Sequence, residues 1–421
     1  MEYQDNLLHI GGLSTTDLAS EFGTPLYIYD AAVIRRQIGN VRGAFAGLPF
    51  QPFYAMKANS NLSLLRLVRE QGFGCDAVSP GEIHLAMRAG FAGEGIWFTC
   101  SNVSDDDLRA IPDPRIVINV NSVAEIDRIV ALGLPNPIAL RVNPPVGAGH
   151  HADVVTAGDS VKFGIDVAEI GTARMLVEDS GRRVVGLHAH IGSGVDDIAP
   201  LLDAARCLLE LAPLFKHLRW LNFGGGISTP YRPGDAEFPI AQYGRELTAL
   251  AGPLLRERNL TAILEPGRYL VAESGTLLAR VTSKRISAGV EWIGIDTGFN
   301  HLVRPSKYGA YHHILNASRG TNGSLRTDWD PKLDRDELVV AGNLCESGDV
   351  FTRVAGLVVP RLLDRTHIND LIAFCDAGAY GFSMASHYNA RLLPAEVLID
   401  EGKARVIRKR QEMGDLVRGM E

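Results

Sequence analysis

Between about residues 50 and 270 the chain alternates short apolar runs with amphipathic stretches. The runs at 53–56, 74–78, 96–99, 116–119, 138–142, 184–188, 220–223 and 262–264 have the length and apolar content of buried parallel strands. The stretches between them carry helix signals. LSLLRLVRE (62–70) spaces its apolar residues as a helix face does. PGEIHLAMRAG (80–90) puts Pro at a first helical position and Gly after the last. SVAEIDRIVALG (122–133) opens on a Ser cap and closes on Gly. Eight strands, each followed by a helix-like connection, predict an α/β fold, a (β/α)8 TIM barrel. No sequence period repeats, so a solenoid is excluded.

After about residue 275 the texture changes. Strand-like runs such as LLARVTSKRI, EWIGIDTG, ELVVAG, DLIAFCDAG and EVLID are separated by turns, which predicts a mainly β C-terminal domain. PLYIYD (25–30) is one more strand-like run and is expected to join it. The expected division is 1–30 with the β domain, 31–275 as the barrel, and 276–421 as the rest of the β domain. Two segments read as loops. Residues 317–337 are polar and rich in Gly, Asn and Asp, as a mobile surface loop would be. VGAGHHADVVTAGDS (146–160), around His150 and His151, follows the fifth strand and could cover a site.

Composition narrows the class. With 46% hydrophobic and 22% charged residues, the 421-residue chain is an ordinary globular one. Its net charge of −7 (42 basic minus 49 acidic residues) argues against a nucleic-acid partner. No apolar run is long enough for a membrane span. The opening MEYQDNLLHIGGLS lacks the basic and apolar parts of a secretory signal. The five cysteines, Cys75, Cys100, Cys207, Cys345 and Cys375, are scattered and show no CxxC spacing. That fits a reducing compartment, and the cytoplasm is the expected location.

Chemistry in such a barrel collects at the C-terminal ends of the strands. Lys57, Asp76, Arg141, His188, His190, Gly224–Gly226, Glu265 and Arg268 all fall at predicted strand ends. A lone lysine after a strand is usually a solvated charge; one flanked by Met56 and Asn59 at a barrel mouth can lose its proton by desolvation and act as a nucleophile. The HxH pair His188/His190 suits a metal, but barrel hydrolases carry theirs at the first strand, and the IGSG that follows here looks like a phosphate cradle. No metal is therefore expected. Glycines after strand seven let backbone N–H groups approach an anion, at a common phosphate position in barrels. Glu265 reads either as an ion-pair partner of Arg268 or as a carboxylate facing a heteroaromatic nitrogen.

Further on, LCESGDVFT gathers a thiol and two carboxylates, although Cys345 alone would be read as a small buried apolar residue. DAGAYGFSMASHYN sets Tyr380 in a Gly-flanked turn. A lysine, a ring-facing His, a phosphate cradle and an acid for a ring nitrogen are the parts of a pyridoxal 5'-phosphate site. They do not identify a substrate.

Ten ordered blocks carry a resemblance over nearly the whole chain: FYAMKAN, CDAVSPGEI, RVNP, SVKFGI, GLHAHIGSG, GGGIS.PY, EPGRYLVAESG, RPSKYGAYHHI, LCESGDVF and GAYGFSMAS.YN. In these the chain resembles the diaminopimelate decarboxylases, relatives of ornithine decarboxylase and alanine racemase. The resemblance implies a lyase that decarboxylates meso-2,6-diaminopimelate to L-lysine and CO2, the last step of lysine biosynthesis. It implies that Lys57 holds pyridoxal phosphate as a Schiff base and that Asp76 belongs to the cofactor site. His190 would stack on the ring, and Glu265 would contact its nitrogen. Ser193, Gly225, Gly226, Arg268 and Tyr380 would hold the phosphate. Arg268, Arg304, Tyr308, Glu346 and Tyr380 would bind substrate. Cys345 would be the proton donor, supplied across a homodimer. Gly194, His301 and His387 depart from the commonest family pattern, outside the residues given roles. The alternatives are a decarboxylase of ornithine or D-lysine, disfavoured by RP..YG and CESGD; a non-catalytic, partner-binding relative; and a metal-dependent hydrolase built on HAH.

Overall fold

The structure, a computed structural model, describes residues 1–99, 101–149, 151, 155–158, 161–321, 325, 335–354 and 356–420. Two compact units emerge: Gln37–Ser228 with Phe238–Tyr269, and Met1–Arg36 with Thr229–Glu237 and Leu270–Glu421.

In the first unit eight parallel strands close into a barrel: Phe50–Ala55, Gly74–Ala77, Ile96–Thr99, Val117–Val120, Ile138–Asn143, Val184–His188, Trp220–Asn222 and Thr261–Leu264. Each pairs with its neighbours, and the last returns to the first with Ala262, Ile263 and Leu264 opposite Phe50, Gln51 and Pro52. Every predicted strand is present. The first starts at Phe50 rather than 53 because Phe50–Pro52, though less apolar, are held by the closing strand. One end of the barrel is filled by Phe53, Trp97, Val117, Ala139 and Ile263, with Trp220 edge-on to Trp97 at 6.0 Å. Gly186 leaves room for that indole, since a Cβ there would lie 2.8 Å from the Trp97 ring. With one end packed this way, polar side chains are confined to the strands' C-terminal ends.

The helices follow their local signals. Leu62–Glu70 is capped by Asn61, whose Oδ1 accepts from Ser63 N at 2.9 Å. Pro80–Ala89 is capped by Ser79 and ends on Gly90 in the left-handed region (φ 95°). Val123–Ala131 starts after Ser122 as expected, but the Ser122 side chain makes no cap bond. Glu125 serves that end instead, its carboxylate accepting from Asn121 N at 2.7 Å.

The second unit is mainly β. Gly275–Ser287 pairs antiparallel with Val290–Ile295, Leu371–Phe374 and the N-terminal strand Leu26–Asp30. Leu26–Asp30 also pairs with Ala395–Asp400, so PLYIYD joins the C-terminal sheet as its pattern predicts. Leu8, Ile10, Leu26, Ile28, Leu278, Ala373, Val397 and Ile399 share this unit's core. The expected loop 317–337 is shorter than its composition suggests. Ala317 is buried and donates its N–H to Leu371 O, and Arg335–Glu337 already belong to strand Arg335–Ala341. Residues 322–324 and 326–334 of that loop lie outside the described residues.

Candidate active site

The barrel unit gathers most of the expected residues at its strand ends. After strand Phe50–Ala55 the chain turns through Met56–Ala58, with Met56 and Ala58 buried and Lys57 half-buried between them. Asp76 is buried at the end of the second strand, beside the Thr99 side chain. Burial, reinforced by the nearby Glu265 charge, raises its carboxyl well above the usual carboxylate range, so Asp76 is the neutral member of the pair.

Glu265, just past the eighth strand, has a nitrogen close to each oxygen. Asn222 Nδ2 donates to Oε1 at 2.5 Å, and His188 Nε2 lies 3.3 Å from Oε2. Burial works to raise this carboxyl, but His188, Asn222 and the Lys57 charge outweigh it and hold Glu265 below its ordinary value. His188 itself is kept neutral, chiefly by burial. Arg141 is buried over the Phe163 ring at 4.5 Å; desolvation brings it down to about 10, against the pull of Glu265 and Asp76. It stays cationic and offsets the buried carboxylate.

His190 follows the sixth strand. Burial and the Lys57 charge depress its imidazole, and Nδ1 accepts from Gly225 N at 3.2 Å, so this ring is neutral. Gly224–Gly226 form a tight cradle. A Cβ at Gly224 would come 2.4 Å from Ala189 O, at Gly225 2.2 Å from Glu265 O, and at Gly226 2.5 Å from Gly192 O. Arg268 Nη2 donates to Ser193 Oγ at 2.8 Å beside this cradle. Gly194 has φ 71°, in the left-handed region that favours glycine. The segment after the fifth strand lies along the same stretch: Ala148 N and Thr156 N donate to Ile191 O, and Thr156 Oγ1 donates to His190 O at 2.8 Å. His150 lies outside the described residues.

The second unit holds the other group. Arg304, 2% exposed, donates from Nη1 to His312 Nε2 at 2.7 Å and stacks on the Tyr231 ring at 4.4 Å. Tyr308, half-buried, ends the short helix Arg304–Tyr308 that carries this arginine. Cys345 is exposed, against its reading as a small buried residue; its N–H donates to Asn389 Oδ1 at 2.7 Å. Glu346, next to it, is also exposed and lies beside Tyr388. Tyr380 takes φ 55° in its turn, and a Cβ on Gly378 would collide with Val271 O. His301 and His387 have structural partners: His301 bonds Thr297 and the Leu392 carbonyl, and His387 bonds Gln411.

Asn119, Asn222 and Tyr231 were not singled out by the sequence, and their only signal is a polar residue closing an apolar run (IVINV, RWLNF) or following the glycines (GGGISTPY). Among the described residues no three His, Cys, Asp or Glu side chains converge as a metal would require. No helix among them is long and apolar enough to cross a membrane.

The family model "Pyridoxal-dependent decarboxylase, pyridoxal binding domain" matches residues 31–272. A diaminopimelate decarboxylase of Methanothermobacter thermautotrophicus is 41% identical, covering 98% of this chain and 95% of that protein. The Escherichia coli K12 diaminopimelate decarboxylase is 37% identical over 95% of this chain and 94% of its own length. Among solved structures, diaminopimelate decarboxylase from Helicobacter pylori complexed with L-lysine superposes with a TM-score of 0.84 at 32% identity, over 96% of this chain and 98% of that one. A lysine/ornithine decarboxylase from Vibrio vulnificus, at 21% identity and a TM-score of 0.76, shares the fold. Barrel, ordered motifs and full-length likeness agree: this chain belongs to the diaminopimelate decarboxylase family of pyridoxal-dependent decarboxylases.

Proposed function

We propose that the protein decarboxylates meso-2,6-diaminopimelate to L-lysine and CO2 with pyridoxal 5'-phosphate, as a cytoplasmic homodimer. The observation that carries this reading is Glu265: a buried carboxylate kept ionised by the Asn222 amide at one oxygen and the neighbouring His188 at the other. Such an anion suits a protonated pyridine nitrogen.

The residues present fit the cofactor. The glycine cradle leaves no room for a side chain and exposes backbone to an anion, and Arg268 with Ser193 adds a charge and a hydroxyl. Bound there, the cofactor would supply an electron sink for the carbon that loses CO2. Lys57 would be its covalent anchor and would later recover its amine. Glu265 would keep the ring nitrogen protonated, and Asp76 would complete the cofactor site as a neutral acid. His190, neutral and oriented by Gly225 N–H, would lie against the ring face. Ser193, Gly225, Gly226, Arg268 and Tyr380 would hold the phosphate.

Arg304 offers a planar fork to the distal carboxylate of the substrate. Glu346 would take the distal ammonium, with Arg268, Tyr308 and Tyr380 completing the contacts. Cys345 would return a proton to the carbon that lost CO2, acting from the second copy of the chain; its exposure supports that role. Ornithine and D-lysine lack the distal carboxylate and would leave the Arg304 guanidinium uncompensated, a cost of about 3–5 kcal/mol. CO2 release with meso-diaminopimelate, the LL isomer, ornithine and D-lysine tests the reading: release from the meso isomer alone is expected. Equal release from ornithine would contradict it, and no release from any substrate would favour a non-catalytic relative.

A further inference from the structure

At the polar end of the barrel a hydrogen-bonded group of Thr99, Asn119 and His188 lies between the two buried acids Asp76 and Glu265. Asn119, fully buried at the end of the fourth strand, donates from Nδ2 to Thr99 Oγ1 at 3.2 Å and to His188 Nδ1 at 2.8 Å. Thr99 neighbours Asp76, and His188 Nε2 faces Glu265 Oε2 at 3.3 Å. The atom of Asn119 that meets both Thr99 and His188 is the amide nitrogen, which can only donate. Thr99 Oγ1 accepts one of its two hydrogens. The other amide hydrogen then goes to His188 Nδ1, leaving that nitrogen without a proton. A neutral imidazole in this state carries its hydrogen on Nε2, facing Glu265.

We propose that Asn119 and His188 are positioning residues: Asn119 selects the His188 tautomer that donates to Glu265, and so holds Glu265 as the anion its ring partner requires. This inference rests on the proposed function for its kinetic consequence, but the tautomer itself is a property of the protein alone. Glu265 touches the reacting system; Asn119 and His188 act through it. Loss of the lock lets the imidazole hydrogen move to Nδ1, where Glu265 meets a lone pair in place of a donor and takes up a proton.

The test uses Asn119→Leu, His188→Gln, His188→Leu and the double variant Asn119→Leu/His188→Gln. In the cofactor-free, ¹⁵N-histidine-labelled full chain, the His188 resonances, assigned by their loss in His188→Gln, are expected to be those of an Nε2–H ring. They should lose that form in Asn119→Leu. In the loaded enzyme Asn119→Leu should lower kcat by about tenfold or more, leave KM within about threefold, and shift the acid limb of kcat to higher pH. Gln at 188 places an amide donor near Nε2 and no longer depends on Asn119. His188→Gln should therefore keep most activity, His188→Leu should not, and adding Asn119→Leu to His188→Gln should change kcat less than about threefold. An Nδ1–H ring in the wild-type chain would overturn the inference, as would equal losses in His188→Gln and His188→Leu. If Asn119→Leu does not fold, the comparison of Gln and Leu at 188 still decides. Absence of CO2 release by wild type would overturn the functional reading while leaving the tautomer result intact.

Discussion

His312 accepts a hydrogen bond from Arg304 on Nε2 at 2.7 Å and gives one from Nδ1 to the Cys375 carbonyl at 2.8 Å. The carbonyl fixes the ring's hydrogen on Nδ1, and the free lone pair on Nε2 then fixes the guanidinium. Tyr231, 4.4 Å from the guanidinium carbon and edge-on to His312, holds the plane of the fork.

Arg304 is therefore expected to act on one end of the substrate only. Arg304→Ala should lower kcat/KM for meso-diaminopimelate by about 10²–10³-fold, the size of an unpaired buried partner. The same change should leave the weak turnover of a substrate without the distal carboxylate nearly unaltered. Arg304→Lys should rescue little, since an ammonium cannot make the planar two-point contact. Steady-state kinetics on both substrates checks this.

Gly225→Ala should weaken cofactor binding by about tenfold or more, because its methyl would meet the Glu265 carbonyl oxygen at 2.2 Å and displace the cradle. Gly95→Ala, where the added methyl meets nothing within 4 Å, is the control and should leave affinity unchanged. Fluorescence titration of the cofactor-free protein measures both.

His301 makes stability pH-dependent. Burial depresses its imidazole to about 4 in the fold, below the ordinary value of 6.5. Between those values the unfolded chain binds the proton and the folded chain does not, so stability present above pH 6.5 is lost as pH falls toward 4. The loss amounts to about 2–3 kcal/mol. Denaturant titrations at pH 7 and pH 4.5 should show a smaller acid loss in His301→Asn.

Asp76 has the opposite sign. Its raised folded value means that the unfolded chain gives up the proton first as pH rises above the ordinary carboxylate range, so the group costs stability at neutral pH. Asp76→Asn should raise the Tm of the cofactor-free protein at pH 7 and leave it nearly unchanged at pH 3.5, as read by scanning calorimetry.

The barrel was legible because strands buried on both faces leave continuous apolar runs, and eight of them in rhythm admit few folds. Strand ends were less so. Phe50, Gln51 and Pro52 belong to the first strand only because the last strand closes onto them, a long-range fact absent from local pattern. Ser122 looks like a cap, yet the bond at that helix end comes from Glu125. Lys57, Glu265 and Arg268 stood out as charges in apolar surroundings. Asn119 and Asn222 did not, since an Asn closing an apolar run is normally a turn residue. Their partners His188 and Glu265 lie 69 and 43 residues away and meet them only when the barrel closes. Cys345 was misread by composition alone, because a thiol's exposure depends on the turn that carries it.

The Lys57 amine is expected to bond covalently to the cofactor aldehyde. The direct measurement is borohydride reduction of the loaded protein followed by peptide mass spectrometry. One reduced pyridoxyl adduct is expected, on the peptide containing Lys57, with the visible absorption band and CO2 release both lost in Lys57→Ala. An adduct on another lysine, or an unmodified chain that still releases CO2 from meso-diaminopimelate, would contradict it.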